Sequence, residues 1–122
     1  MSNSRRLQKV SSLLKREITL IFMNDLKDSL LQENFFYITN LEITSDLQHC
    51  KIYISSQTKN NKRDDVVETL NSSRGLIRHI LSQRIEMRRV PDLVFKKDRK
   101  VDEELSVLKV LDQIREKNNE GN

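Results

Sequence analysis

The sequence predicts a single two-layer α+β domain with a three-stranded sheet and helices on one face. Three observations carry that class. An amphipathic helical pattern opens the chain, two short alternating runs follow it, and a glycine-interrupted helical stretch leads into a third apolar run after the only proline, Pro91. A chain of 122 residues holds one domain and buries a core without disulfides or metal.

The elements follow in order. From Ser4, a candidate N-cap, to about residue 24, Leu7, Val10, Leu14, Ile18 and Ile21 recur at helical spacing as one apolar stripe. Arg5, Lys9, Ser12 and Arg16 lie along another face of the same helix. Residues 25–36 are polar and mixed and read as a connection, although Phe35 and Phe36 are expected in the core with Phe95. Two strand-like runs come next, Thr39–Thr44 and His49–Ser55. In the second, Cys50, Ile52 and Ile54 point one way, and His49, Lys51, Tyr53 and Ser55 point the other. Ser45-Asp46 supplies turn chemistry, so the pair reads as an antiparallel hairpin.

A polar loop at 57–63 precedes a helix that Asp64 or Asp65 caps, running through Val66, Val67 and Leu70. Gly75 interrupts it. A glycine inside a helix costs about 1 kcal/mol relative to alanine, so a kink is expected there. Leu76, Ile77, Ile80, Leu81 and Ile85 then restart an apolar stripe. Pro91 excludes a continuing helix and disfavours helical geometry at Val90, which sets off a short strand around Leu93-Val94-Phe95. The last segment, 102–116, has a thin helical stripe, and the tail from Lys117 is expected to be unstructured. The expected organisation is a domain over 1–100 and an appended helix and tail over 101–122.

Charge distribution points to a polyanion partner. Residues 1–27 carry six Lys/Arg against two Asp/Glu, and residues 74–100 carry nine against three. The segments between and after them are acidic. Two basic blocks in a chain of pI about 9.3 form an attractive patch if the fold joins them.

Other chemistries find little support in the residues. Cys50 is the only cysteine, so no intrachain disulfide forms and a reducing cytoplasm suits the chain. No apolar run approaches the ~18–20 residues of a membrane span, and the first nine residues lack a signal peptide's apolar middle. His49 and His79 stand apart, so no metal site is expected, and no cofactor. Ser72, Ser73 and His79 lie on one helical unit without an orienting carboxylate, so no nucleophile is expected and the chain reads as a non-enzyme. Gly75 and Gly121 are the only glycines, too few for a phosphate loop. Tyr53 faces away from the expected core and is a candidate for stacking on a base.

Four stretches in order resemble the bacterial ribosome-binding factor A family. They are Arg6-Leu7-Gln8-Lys9-Val10 with Glu17-Ile18, Ile43-Thr44-Ser45-Asp46-Leu47 leading into Cys50–Ser55, Leu70–Leu81 around Gly75, and Leu81 through Arg89-Val90-Pro91-Asp92 to Asp98. The resemblance runs from about Arg5 to about Leu111. It implies a type II KH-like fold in which an alanine-any-glycine kink joins two helices; here that site reads Ser73-Arg74-Gly75, with serine in place of alanine.

The resemblance also implies a role. The factor binds the free 30S small ribosomal subunit late in assembly, contacts its rRNA, supports 5′-end processing of the 16S precursor, and leaves before translation, with the need greatest in the cold. Its implied partners are that subunit and its rRNA, with no membrane and no small-molecule substrate, and the chain is expected to be a monomer. A generic nucleic-acid module and a protein-interaction adaptor are the alternatives. The candidate RNA contacts are Arg5, Lys9, Arg16, Arg74, Arg78, Arg84, Arg88, Arg89, Lys96, Lys97, Arg99 and Lys100, taken as a group.

Overall fold

The computed structural model describes residues 2–57 and 63–99, with the side chains of 2–4, 57 and 63–65 left aside. The order is α1 (Ser2–Asn24), α2 (Ser29–Glu33), β1 (Phe35–Ile43), β2 (His49–Gln57), α3 (Arg63–Ser72), α4 (Arg74–Arg84) and β3 (Asp92–Lys97). Lys100 and the 102–116 segment lie outside the described residues.

The opening helix follows its stripe. Leu14, Ile18 and Ile21 are fully buried, and Val10 packs against the same core. The helix begins at Ser2, so Ser4 lies inside it rather than capping it. Residues 25–36 are more ordered than a connection. Asp28 caps the short helix α2 by accepting from the Leu30 N–H at 2.9 Å, and α2 buries Leu31. With only five residues, α2 has no hydrophobic period to read.

The sheet order is β1-β2-β3. β1 and β2 are antiparallel, and β2 and β3 are parallel. Both hairpin strands outrun their expected limits. In β1 the pairing jumps from Ile38↔Ile54 to Asn40↔Tyr53, so Thr39 is the extra residue of a bulge. The bulge changes the phase of the alternation. Phe36 and Ile38 face the core before it, and Leu41 and Ile43 after it. Phe35, next to Phe36, is therefore turned outward and 64% exposed, against the expectation of a core role. Phe36 and Phe95 do pack inside, each against Phe22.

On β2, Cys50, Ile52 and Ile54 are buried as the alternation requires. Ser55 breaks the outward set: it is buried, and its hydroxyl has no hydrogen-bond partner among the described residues. The hairpin turn is built on Asp46. Its carboxylate accepts from the Thr44 hydroxyl at 2.6 Å and from the Gln48 N–H at 3.1 Å, and Leu47 turns through a left-handed φ of 61°.

α3 begins at Arg63, so Asp64 and Asp65 fall in its first turn. The predicted break between two helices is present and centres on Ser73, two residues ahead of Gly75. Ser73 has φ −97° and ψ 4°, and its carbonyl accepts the Ile77 N–H, the first bond of α4. On α4, Ile77 and Leu81 are buried, whereas Leu76 is 54% exposed because it lies a step off that stripe. Pro91 is buried at the corner between α4 and β3, and Leu93 and Phe95 complete the core.

Candidate nucleic-acid interface

The break at Ser73 leaves the start of α4 open. The N–H groups of Arg74, Gly75 and Leu76 precede the first bond within the helix, and the Ser73 side chain does not cap them. These amides and the helix dipole favour an anion at this end. Gly75 adds no bulk. A Cβ built there would meet nothing within 4 Å, and its φ is not positive. The glycine therefore answers neither strain nor internal packing; it keeps the helix end bare toward solvent.

Arg74 stands between two grooves. One, of about 460 Å³, is walled by His49, Arg74, Gly75, Arg78, Asp92 and the start of β3. The other, of about 570 Å³, runs along the edge of β3 past Val67, Asn71, Arg74 and Lys97. His49, isolated in the sequence, is thus a groove residue; only the parallel pairing of β2 with β3 brings it there.

The structure divides the candidate cations by what they already hold. Arg78 clamps the corner at Pro91. Its Nε and Nη2 donate to the Val90 carbonyl at 3.2 and 3.0 Å, and Nη1 lies 3.3 Å from an Asp92 carboxylate oxygen. Arg84 ties α4 to the end of α1, with Nη2 2.6 Å from Asp25 Oδ2 and Nη1 3.9 Å from Glu17 Oε2. Arg16 lies 3.9 Å from Glu17 and is largely exposed. Arg5, Lys9, Arg74, Arg88, Arg89, Lys96 and Arg99 are exposed and make no salt bridge among the described residues. Lys97 is half-buried beside the β3 groove.

The two basic blocks meet where α1 packs on α4, and there Arg16 and Arg84 lie on either side of one carboxylate, that of Glu17. The ion pairs across this contact run from Arg84 to Glu17 on α1 and to Asp25 just after it, while the row Arg5–Lys9–Arg16 is exposed. Tyr53 is half-buried, and its hydroxyl donates to Glu42 at 3.3 Å. Partial burial and then the neighbouring carboxylate push its pKa up. Among the described residues no group of three or more His, Cys, Asp or Glu side chains is placed to hold a metal, and no helix is long and apolar enough to cross a membrane.

The sequence profile described as "Ribosome-binding factor A" matches residues 6–111. The chain belongs to the ribosome-binding factor A family. Ribosome-binding factor A of Prochlorococcus marinus strain AS9601 is 52% identical over 122 residues, all of this chain and 94% of that protein. The crystal structure of ribosome-binding factor A from Thermus thermophilus superposes with a TM-score of 0.65 at 19% identity, covering 75% of this chain and 93% of that one. A homology model of the Thermus thermophilus factor, fitted into the cryo-EM map of a 30S–RbfA complex, gives a TM-score of 0.60 at 20% identity, covering 75% of this chain and 93% of that one. Ribosome-binding factor A is thus the family of both the sequence and the fold, and the Ser73 break and its bare glycine lie within the matched span.

Proposed function

We propose that this chain binds the free 30S small ribosomal subunit as a monomer, late in assembly, and assists 16S rRNA maturation and 5′-end processing without catalysis. The observation that carries the reading is the uncapped start of α4 at Arg74-Gly75. There, open amides, a bare backbone and a guanidinium unpaired among the described residues face one groove. Phosphates of the rRNA backbone fit that groove, and the exposed Arg88, Arg89, Lys96 and Arg99 of the same basic block add to the attraction. Family membership supplies the subunit, since the Thermus thermophilus factor is placed in a 30S complex. The work is cytoplasmic, follows the cold requirement implied for the family, and needs no cofactor.

Gradient sedimentation of a tagged copy from cold-grown cells tests this, with precursor rRNA assayed across the fractions. The expected result is co-migration with small-subunit particles rich in unprocessed precursor. Equal binding to complete translating ribosomes, or a protein left at the top of the gradient at low salt, would reject it.

A further inference from the structure

The open edge of β1 carries an aromatic surface that the Arg74 groove does not use. Phe35 and Tyr37 are two residues apart on the strand, so both project away from the core. Their rings lie 5.8 Å apart at 42°. Phe35 is 64% exposed, Tyr37 37%, and Met23, at the end of α1, 75%. The three line one groove of about 680 Å³. Single exposed apolar residues are ordinary, but three gathered on one groove make a candidate binding surface. The polar part of the wall is made of amides, the Thr19 and Tyr37 hydroxyls and Lys27, with no carboxylate.

Charge decides the occupant. The cationic row Arg5, Lys9, Ser12, Arg16 continues at the same helical spacing through Thr19 to Met23. Thr19 and Met23 both line the groove. Three cations therefore lead along roughly 27 Å of helix to an exposed aromatic pair. Proteins that hold single-stranded nucleic acid combine those parts, a cationic track for the backbone and aromatic rings for the bases. A peptide helix would fill the groove but leave the row without a role. A duplex would meet the row but has no free base face to offer Phe35.

We propose that the β1-edge groove holds an unpaired base of single-stranded RNA, stacked on Phe35 and Tyr37, with the strand's phosphates along Arg16, Lys9 and Arg5. The proposal rests on the reading that the chain binds RNA, but the surface is separate from Arg74. Phe35 pairs with Gln57 at the end of β2, whereas Asp92 pairs with His49 at its start, so the two sites lie at opposite ends of the sheet.

The test uses the full chain, a fluorescein-labelled ten-nucleotide oligoadenylate and a ten-base-pair RNA duplex, read by anisotropy. The double variant Phe35→Ala/Tyr37→Ala is expected to bind the oligoadenylate roughly 5- to 100-fold more weakly and the duplex unchanged, with an unaltered thermal melt. Phe35→Leu, which keeps the apolar bulk, should also weaken it. Oligoadenylate should shift the Met23 methyl and Tyr37 ring resonances. Unchanged oligoadenylate affinity in the double variant would overturn the proposal, as would dissociation of a dimer by that variant or full retention of affinity by Phe35→Leu. In parallel, Arg74→Gln should weaken the duplex. If it weakens nothing while the aromatic variant acts as expected, the Arg74 reading fails and the β1-edge site stands.

Discussion

Asn71 on α3 grips the backbone of Phe95 on β3 at two points. The Phe95 N–H donates to Asn71 Oδ1 at 2.8 Å, and Asn71 Nδ2 donates to the Phe95 carbonyl at 2.9 Å. A side-chain amide thus does for the outer edge of β3 what another strand would do. Asn71→Ala leaves a donor and an acceptor at a buried residue without partners, at a cost of about 2 kcal/mol or more. The thermal midpoint should fall by about 10 °C. The bared edge should also make the variant prone to associate on heating, visible by light scattering.

Gly75→Ala should separate stability from binding. The site is helical, has open space for a methyl group and needs no positive φ. Alanine there should therefore stabilise the fold by roughly 0.5–1 kcal/mol. The same methyl stands beside the open amides at the start of α4, so RNA affinity should fall. A calorimetric melt and an RNA titration on one sample check both halves. A variant that is more stable and binds equally well would show that no ligand approaches this backbone.

The cations should divide into two classes. Arg84→Gln removes a partly exposed tie between α4 and α1 and should cost no more than about 1 kcal/mol, with the salt dependence of RNA binding unchanged. Arg74→Gln and Arg88→Gln should leave the melt alone and reduce the slope of log K against log salt by about 0.7–0.9 each. Titrations at four salt concentrations measure the slope.

The hairpin turn should respond to acid. The Thr44 hydroxyl, and after it the Gln48 amide, hold the Asp46 carboxyl below its usual pKa. A depressed folded pKa gives stability that is present above the unfolded pKa and is lost as pH falls through the folded one. The turn should therefore stay closed at neutral pH and loosen only below the ordinary aspartate range. The Gln48 and His49 amide resonances should report that transition, and Asp46→Asn should abolish it.

Cys50 should be inert in the folded protein. Burial on the inner face of β2 pushes its thiol up to about 12, so almost no thiolate exists at about pH 8. Alkylation by iodoacetamide at that pH should be slow and should accelerate in step with unfolding by urea. Reaction at the rate of a free thiol would mean that the inner face of β2 is open.

What the sequence made legible was the part governed by period. The α1 stripe, the inward set on β2 and the strand after Pro91 all rest on spacing that survives folding. The first half of β1 was hidden because the Thr39 bulge reverses the alternation in mid-strand. α2 was hidden because five residues are too few to show a period. The candidate site was legible as a basic block but not as individual groups. Whether an arginine faces solvent or holds Val90, Asp92 or Asp25 depends on neighbours distant in sequence, and so did the role of His49. Phe35 was misplaced because two consecutive strand aromatics look equally apolar while facing opposite sides.

The parallel pairing of β2 with β3 also sets the order in which the chain can assemble. β1 and β2 close on each other across residues 44–48, a short loop that forms early. β3 must wait until the whole span 58–91 has been threaded past the sheet. Phe95, the largest fully buried side chain, belongs to that last strand and packs beside Phe22. During synthesis the nascent hairpin and α1 therefore expose apolar surface up to the moment Phe95 docks. Synthesis through β3, rather than collapse of the first half of the chain, is what is expected to end that exposure.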